Sequence, residues 1–362
     1  MVANWKNSRF MQGKAIVPVH WKKSSRIEDI VNALGSTCFE ARKVAEAAEL
    51  FKTMIKEGDT IWLGIAGAGI VGGLGGYVID LVEYGFVDAI CSTGAQVYHD
   101  SHFAYNLPVV QGSPHVNDNE LDKDGTTRIY DINIRLKETL IAQDEHFQRF
   151  ARTNANKLKS LSTADWTYEW GKYINENSPY PESSFVSVAA KNKVPVFWDS
   201  ESNHSIAMNN AFILLKDNLD IAPNPSLSLL EAAAIVYFSK QSGFFELGGG
   251  GPKNWIQTLS PMISQILKRD FEGADRGIQI TTAPEYDGGL SGCTFNEGVS
   301  WGKYKDATKG LVQIHSDYSI VFPLLAGYVL ESCKPREQKR LMEKKKEYFE
   351  KLKEEMKIPQ DR

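Results

Sequence analysis

The chain has 362 residues, enough for one large domain or two small ones. Hydrophobic residues make up 42% and charged residues 24%, a balance that is typical of a water-soluble globular protein. The net charge of −4 gives no reason to expect nucleic-acid binding, and no apolar run is long enough to span a membrane.

Residues 1–33 mix aromatic residues and lysines and predict an N-terminal arm with little regular structure. They lack the basic segment and apolar core of a signal peptide, so we expect a cytoplasmic protein. The four cysteines are scattered, without metal-ligand spacing, and suit that compartment. Apolar residues then recur at helical spacing over residues 38–55, and Gly58 is expected to end this helix.

A predicted buried strand, Thr60–Ile65, leads into a glycine-rich loop. Gly67, Gly69 and Gly72 form a G-x-G-x-x-G pattern, whose glycines let a backbone approach a pyrophosphate at a helix N-terminus. The next predicted strand, residues 87–91, is not followed by the acidic residue that usually holds a ribose. Tight packing of a helix against a strand explains the glycines equally well.

The segment Ser92–Ala95 follows the second strand directly, where ligands bind in open α/β sheets. His99, Asp100 and His102 come shortly after it and are potential metal ligands. We do not expect a metal, because no further histidine or cysteine follows at ligand spacing. Because the loop lies next to it, His99 is better explained as part of a cofactor or amine pocket.

Residues 112–136 are polar and predict a long loop that ends in a strand at Thr127–Ile132. Residues 136–180 have helical patterns whose aromatic residues suit a core. Strands are predicted at 194–197, 219–221, 244–247, 278–282 and 310–315, and helices at 205–216, 227–240, 254–267 and 319–330. This alternation predicts a single large α/β domain over residues 34–333, with a central parallel Rossmann-like sheet flanked by helices. A charged C-terminal helix is predicted over residues 334–362.

Four consecutive glycines, Gly248–Gly251, separate a predicted strand from the helix that follows it. Pro252 lies near the first turn of that helix, where proline is well tolerated. The free amide groups and the dipole at a helix N-terminus attract anions, and glycines let a phosphate come close. We therefore favour a phosphate-binding loop at this position.

Lys303 stands two residues after Trp301 and six residues after Glu297. Contact with an aromatic ring removes part of a lysine's hydration, which disfavours the charged form of the amine. A neutral amine can attack a carbonyl or imine carbon and form a Schiff base. From spacing alone, however, a solvated lysine whose stem covers Trp301 is the commoner arrangement.

The sequences EGVSWGK and SDYSIVFPLL closely resemble the active-site region of the deoxyhypusine synthase family, and the likeness extends from about Gly35 to Glu331. The resemblance implies that Lys303 forms an imine with the aminobutyl group taken from spermidine, beside Glu297 and Trp301. It implies NAD as the cofactor and a homotetramer with active sites at subunit interfaces. The implied acceptor is a protein lysine, as in deoxyhypusine synthesis, or a small amine, as in homospermidine synthesis.

The same resemblance implies the remaining site residues. The positions implied to bind the cofactor are Gly67, Ala68, Ser92, Thr93, Gly94, Asn203, Gly248, Gly249, Gly250, Thr282, Ala283, Asp317 and Tyr318. The positions implied to bind the substrate are His99, Met208, Asn254, Leu290 and Ser291.

The implied amine pocket departs from the family at several positions. Asn254 replaces a histidine that helps proton transfer, and an asparagine cannot act as a base near neutral pH. Met208 and Leu290 replace acidic anchors for a polyamine, and Asn203 replaces another aspartate. This pattern is similar to the bacterial deoxyhypusine synthase-like branch, with His99 as a candidate for the missing imidazole. A catalytically silent, oligomeric NAD-binding protein is the alternative.

Overall fold

The computed structural model describes residues 9–11 and 14–357. The strands of this part of the chain are β1 (Thr60–Ile65), β2 (Ala89–Ser92), β3 (Val109–Gln111), β4 (Thr126–Ile129), β5 (Ile132–Arg135), β6 (Val196–Trp198), β7 (Ser242–Leu247), β8 (Arg276–Thr281) and β9 (Leu311–His315). Its α-helices are α1 (Ile27–Leu34), α2 (Phe39–Glu57), α3 (Gly75–Glu83), α4 (Gly94–Ala104), α5 (Asp118–Asp124), α6 (Ala142–Leu158), α7 (Thr163–Asn177), α8 (Phe185–Asn192), α9 (Ser205–Asp217), α10 (Pro225–Tyr237), α11 (Gly250–Pro261), α12 (Phe295–Ser300), α13 (Tyr318–Ser332) and α14 (Leu341–Met356). Short 3₁₀ turns lie at Arg9–Met11 and Pro181–Ser183, and π-helical turns at Ile70–Leu74, Leu136–Ile141 and Met262–Ile266.

A six-stranded parallel sheet forms the centre of the fold, in the order β6-β2-β1-β7-β8-β9. The two middle strands, β1 and β7, are buried along their whole length. Parallel strands covered by helices on both faces are expected to be continuously apolar. Burial on both faces explains why these strands appear in the sequence as apolar runs flanked by glycines. The parallel sheet with helices on both faces confirms the predicted α/β fold.

Successive residues of β1 point to opposite helical layers, as the two-residue period of a strand requires. Ile61, Leu63 and Ile65 join the apolar cluster that contains residues of α2 and α13. Trp62 joins the cluster on the other face, which contains residues of α10 and α11. None of the helices in the described ranges is long and apolar enough to cross a membrane.

Three segments before the C-terminal helix differ from the sequence predictions. The predicted arm over residues 1–33 contains helix α1 from Ile27, and residues 1–8, 12 and 13 lie outside the described part. The predicted loop over residues 112–136 instead holds helix α5 and strands β4 and β5, which form a small antiparallel sheet with β3. Residues 219–221 are not a strand. The side chain of Ile221 is buried in the core, which explains the apolar pattern, and its backbone carbonyl accepts a hydrogen bond from Trp166 Nε1 at 3.1 Å.

The charged C-terminal helix begins at Leu341 rather than at residue 334, and residues 358–362 lie outside the described part. It is more than a solvated helix, because Leu341, Lys345 and Leu352 are buried. Lys345 Nζ lies 2.7 Å from Asp165 Oδ2 and 2.8 Å from Glu231 Oε2. The helix is therefore attached to α7 and α10 by a buried ionic cluster.

We predict that Lys345→Met destabilises the protein by about 3 kcal/mol, because the change leaves two carboxylates facing each other without a cation. The free energy of unfolding in urea measures this effect. Lys351→Met is the matched control on the same helix, since Lys351 forms an exposed pair with Glu347 and lies 5.9 Å from the centroid of the Tyr348 ring. Both contacts are weak at the surface, so the unfolding midpoint should change far less than in Lys345→Met. If Lys345→Met, Lys351→Met and the unchanged protein all unfold at the same urea concentration, the structural role of Lys345 is contradicted.

Candidate active site

The carboxyl ends of β1, β7, β8 and β9 meet at one edge of the sheet and form a groove of about 330 Å³. The groove brings together a large part of the predicted cofactor site: Gly67, Gly248, Gly249, Gly250, Thr282, Ala283, Asp317 and Tyr318. Ser291, predicted to bind substrate, lines the same groove. Asp317 begins α13 by accepting a hydrogen bond from the amide of Ser319 at 2.8 Å.

The loop after β7 needs its glycines for two separate reasons. Gly248 has φ 79° and Gly250 has φ 57°, in the left-handed region that favours glycine. Gly249 needs space instead, because a Cβ atom there would lie 2.6 Å from the Cα of Ser291. Helix α11 begins at Gly250, so its N-terminus faces the groove. Phosphate binding at this loop stays a prediction from the sequence.

Packing explains one glycine of the loop after β1. The amide of Gly69 donates to the Tyr318 hydroxyl at 2.9 Å, and that hydroxyl donates to the carbonyl of Ala66 at 2.9 Å. A Cβ atom on Gly69 would lie 2.5 Å from the same hydroxyl oxygen. Close contact with Tyr318 therefore accounts for Gly69, whereas Gly67 does line the groove.

The other predicted cofactor residues do not line this groove. Ser92 and Thr93 lie at the end of β2, where Thr93 Oγ1 accepts from the amide of Gln96 at 3.2 Å and so caps α4. Gly94 packs against the ring of His204, since a Cβ atom would lie 2.3 Å from it. Asn203 is exposed beside His204, and Ala68 is half-buried after β1.

Lys303 lies in a second cavity, of about 500 Å³. Its side chain is in contact with Asn254 of α11, with 3.4 Å between Lys303 Nζ and Asn254 Oδ1. Lys303 is 9% exposed, which rules out the solvated surface lysine that spacing alone would favour. Leu290 lines this cavity and Ser291 lines the groove, so one short loop separates the two.

The backbone around Lys303 is fixed by contacts from three directions. Its amide donates to the carbonyl of Gly298 in α12 at 3.0 Å. Its carbonyl accepts from the amide of Ala274 at 3.0 Å and from the hydroxyl of Ser260 at 3.2 Å. Gly302, at φ 69°, allows the chain to turn into this position. The buried amine is therefore held on a rigid segment.

The walls of the Lys303 cavity are mostly apolar. Pro261, Met262, Ile266, Leu290 and Trp301 line it, together with the carboxylates of Glu285 and Glu297. Trp301 is 65% exposed, so it forms part of the cavity mouth and does not enclose the lysine. The cavity can hold an aliphatic chain beside a buried amine, with two carboxylates available to a cation.

Two residues predicted to bind substrate lie elsewhere in this chain. His99 is on α4, and its Nδ1 is 2.9 Å from Nε2 of His102. Burial lowers the pKa of His99 to about 4, so its ring is neutral at physiological pH. Met208 is 68% exposed on α9. Neither residue lines the cavity of Lys303. Within one chain, His99 therefore does not replace the histidine that is missing at position 254.

A buried polar cluster adjoining Lys303 was missed by the sequence predictions. Glu246 on β7 is fully buried and accepts hydrogen bonds from Gln257 Nε2 at 2.9 Å and from the Tyr304 hydroxyl at 3.2 Å. Lys253 Nζ donates to Gln279 Oε1 at 2.9 Å and to the carbonyl of Cys293 at 2.6 Å. Burial raises the pKa of Glu246 to about 7 and lowers that of Lys253.

A sequence signal for this cluster does exist. Glu246 and Gln279 interrupt the apolar strands β7 and β8. When a strand is covered on both faces, a polar side chain within it must be buried and needs a partner. A glutamate or glutamine inside such a run therefore marks a polar cluster below the sheet surface.

The sequence profile of deoxyhypusine synthase matches residues 29–329 of this chain. A deoxyhypusine synthase-like protein of Nostoc sp. strain PCC 7120 is 32% identical over 350 residues, which cover 94% of this chain and 90% of the relative. A protein of the same name from Thermosynechococcus vestitus is 34% identical over 329 residues, covering 87% of this chain and 81% of the relative. "Probable deoxyhypusine synthase 2" of Methanosarcina acetivorans is 32% identical over 311 residues, which cover 86% of this chain and 88% of the relative.

A crystal structure of an Entamoeba histolytica protein assigned to deoxyhypusine synthase has a similar fold, with a TM-score of 0.58 and 16% sequence identity. The match covers 87% of this chain and 96% of the other. At this identity the likeness concerns the fold alone. The profile match and the sequence relatives extend over most of the chain, and they include the lysine cavity and the glycine-rich groove. This chain therefore belongs to the deoxyhypusine synthase family.

Proposed function

We propose that the protein is an NAD-dependent transferase that moves an aminoalkyl group from a polyamine-type donor to an acceptor amine through an imine on Lys303. The observation that carries this proposal is the position of Lys303. Its amine is buried in a cavity, held on a rigid segment, and separated by one loop from a glycine-rich groove. Covalent catalysis by lysine needs such a shielded amine.

The groove fits the phosphate-bearing part of a dinucleotide. Gly248, Gly249 and Gly250 line the groove at the start of α11, and Thr282 and Asp317 also line it. The amide of Gly250 donates to Ser291 Oγ at 2.9 Å and would exchange this partner for a phosphate oxygen. NAD bound there would act as the hydride acceptor for oxidation of the donor amine. Gly249 keeps the wall of the groove in place, because a Cβ atom there would displace Ser291, which lines the groove.

The transfer itself is carried by residues of the second cavity. The amine of Lys303 adds to the imine carbon of the oxidised donor, a new C–N bond forms, and the donor's other amine departs. An acceptor amine then adds to the same carbon and frees Lys303, which leaves an imine of the acceptor. The hydride that the cofactor gained from the donor would return to this carbon and reduce the imine to the product amine. Asn254 Oδ1 orients the lysine by accepting a hydrogen bond from it. Glu285 and Glu297 are placed to attract the cationic end of a donor.

The acceptor in this proposal is a small amine or a protein lysine. We also propose a homotetramer with its active sites at subunit interfaces, in the cytoplasm. Ile266, Leu290 and Trp301 are exposed apolar side chains at the cavity mouth, and such a rim suits contact with a second subunit. A second subunit would also enclose a cavity that is open in the single chain.

A catalytically silent NAD-binding oligomer is the alternative, favoured by one observation. The side chains that line the lysine cavity include Asn254, which cannot act as a base, and Leu290, which cannot hold a cation. Addition of polyamines and guanidinoamines to the protein with NAD distinguishes the two functions. Growth of NADH absorbance with any of these amines excludes the silent protein.

We predict that Lys303→Arg abolishes transfer to an acceptor while NAD binding persists. Arginine keeps the positive charge but cannot provide a neutral amine in this pH range. Product masses after incubation with a donor, an acceptor and NAD measure the transfer, and calorimetry measures NAD binding. Lys305→Arg is the matched control, since Lys305 is exposed two residues away and pairs with Asp275. Full transfer by a folded Lys303→Arg protein would refute the imine mechanism.

We also predict that Gly249→Ala weakens NAD binding by about tenfold or more, because the added Cβ displaces the Ser291 loop. Calorimetric titration with NAD measures this change. Gly76→Ala is the control: Gly76 lies in α3, and a Cβ atom there meets no other atom within 4 Å. Unchanged affinity in a folded Gly249→Ala protein would place the cofactor outside this groove.

A further inference from the structure

A carboxyl group with no role so far lies at the carboxyl end of strand β6. Asp199 directly follows the last residue of β6, and its amide donates to the carbonyl of Ser92 on β2 at 3.1 Å. Its Oδ1 atom is buried and has no hydrogen-bond partner in the described part of the chain. A buried carboxylate oxygen without a partner is costly, so the position of Asp199 needs an explanation.

The fourth glycine of the loop after β7 is explained by this carboxylate. Gly251 does not have a left-handed backbone, so its conformation does not require glycine. It needs space instead, because a Cβ atom there would lie 1.7 Å from Asp199 Oδ2. Gly251 is the second residue of α11. The carboxylate of Asp199 therefore lies against the first turn of the helix whose start lines the glycine-rich groove.

A carboxylate beside the start of a helix can have a purely structural role, and Asp100 shows what that role looks like in this chain. Asp100 accepts hydrogen bonds from the amides of Phe185 and Val186, in the first turn of α8, at 3.0 and 3.1 Å. Asp199 Oδ1 has no such bond, although α11 begins beside it. Asp199 is thus not used as a cap, and its free oxygen can accept from a ligand.

The groove proposed for NAD is small for a whole dinucleotide. Its volume of about 330 Å³ is near the lower limit of ligand pockets, which is roughly 300 Å³. NAD contains two nucleosides joined by two phosphates, so part of it must extend beyond the groove. Ligands of open α/β sheets bind along the carboxyl ends of the strands. On the β1 side of the groove, the next strands are β2 and then β6, which Asp199 follows.

We infer that Asp199 holds one ribose of the bound dinucleotide by accepting hydrogen bonds from its two vicinal hydroxyl groups. The inference rests on the proposed use of NAD. In dinucleotide-binding folds an acidic residue at a strand end has this role, and β2 ends in Ser92 and Thr93 without one. Asp199 supplies the carboxylate from the strand that pairs with β2.

The other ligand that a free carboxylate suits is the cationic end of the donor amine. The position of Asp199 argues against that ligand, because Asp199 does not line the cavity of Lys303, where Glu285 and Glu297 already provide carboxylates. A ribose diol offers two donors to the two oxygens of one carboxylate. The ribose is therefore the ligand that fits both the chemistry of Asp199 and its place beside the groove.

Calorimetric titration with NAD tests the inference. Asp199→Asn keeps the size of the side chain but removes the charge, and we expect NAD affinity to fall about tenfold or more. Gly251→Ala keeps the carboxylate but displaces it, and it should also weaken NAD binding. Glu201→Gln is the matched control, since it removes one exposed charge two residues away and should leave the affinity unchanged.

Thermal unfolding without NAD separates binding from structure. Asp199→Asn should unfold at the same temperature as the unchanged protein or a higher one, because it removes a carboxylate that has a buried, unpaired oxygen. A lower unfolding temperature in this variant would show that Asp199 is a structural residue and would overturn the inference. Unchanged NAD affinity in Asp199→Asn would overturn it as well, while leaving the proposed function intact.

Two NAD analogues test the contact even if a variant fails to fold. Each lacks both hydroxyl groups of one ribose, either the nicotinamide ribose or the adenosine ribose. One of them should bind the unchanged protein about tenfold more weakly than NAD, and Asp199→Asn should bind that analogue and NAD equally. Equal binding of NAD and both analogues by the unchanged protein would overturn the inference. No binding of NAD itself by the unchanged protein would instead overturn the proposed function.

Discussion

Parallel strands that run side by side end at the same edge of their sheet, and the geometry of this protein depends on that constraint. The loops after β1, β7, β8 and β9 come from distant parts of the chain, yet they form one groove. Helix α11 starts in the groove and carries Asn254 into the second cavity. The glycine-rich groove and the lysine cavity are neighbours because both adjoin the loop that follows β8 and the helix α11.

The buried polar cluster next to the sheet is the second feature that shapes the site. Glu246 and Gln279 project from the adjacent strands β7 and β8, and Lys253 and Gln257 reach them from α11. Polar groups removed from water are expensive unless they are paired, so such a cluster is expected to have a purpose beyond stability. Here it ties α11 to the segment that bears Lys303, since Gln257 Nε2 donates to the hydroxyl of Tyr304 at 3.1 Å.

The sequence predicts the fold well where local chemistry decides the structure. Buried parallel strands are apolar runs, and the cradle at Gly248–Gly251 follows from the close approach that glycine allows. The burial of Lys303 could not be derived from spacing, because it depends on Ala274 and Ser260, which are distant in sequence. The sequence predicts one strand, Thr127–Ile132, within residues 112–136, where the structure has helix α5 and the two strands β4 and β5. The hairpin was missed because a small antiparallel sheet on the surface keeps a polar sequence.

The central claim is that Lys303 carries the transferred group as an imine, and reductive trapping tests it most directly. The protein is incubated with NAD and a panel of polyamines and guanidinoamines, reduced with borohydride, and mapped by peptide mass. We predict that at least one amine leaves its alkyl group on the peptide that contains Lys303. Oxidation of an amine, seen as NADH formation, with every peptide containing Lys303 unmodified would contradict the account.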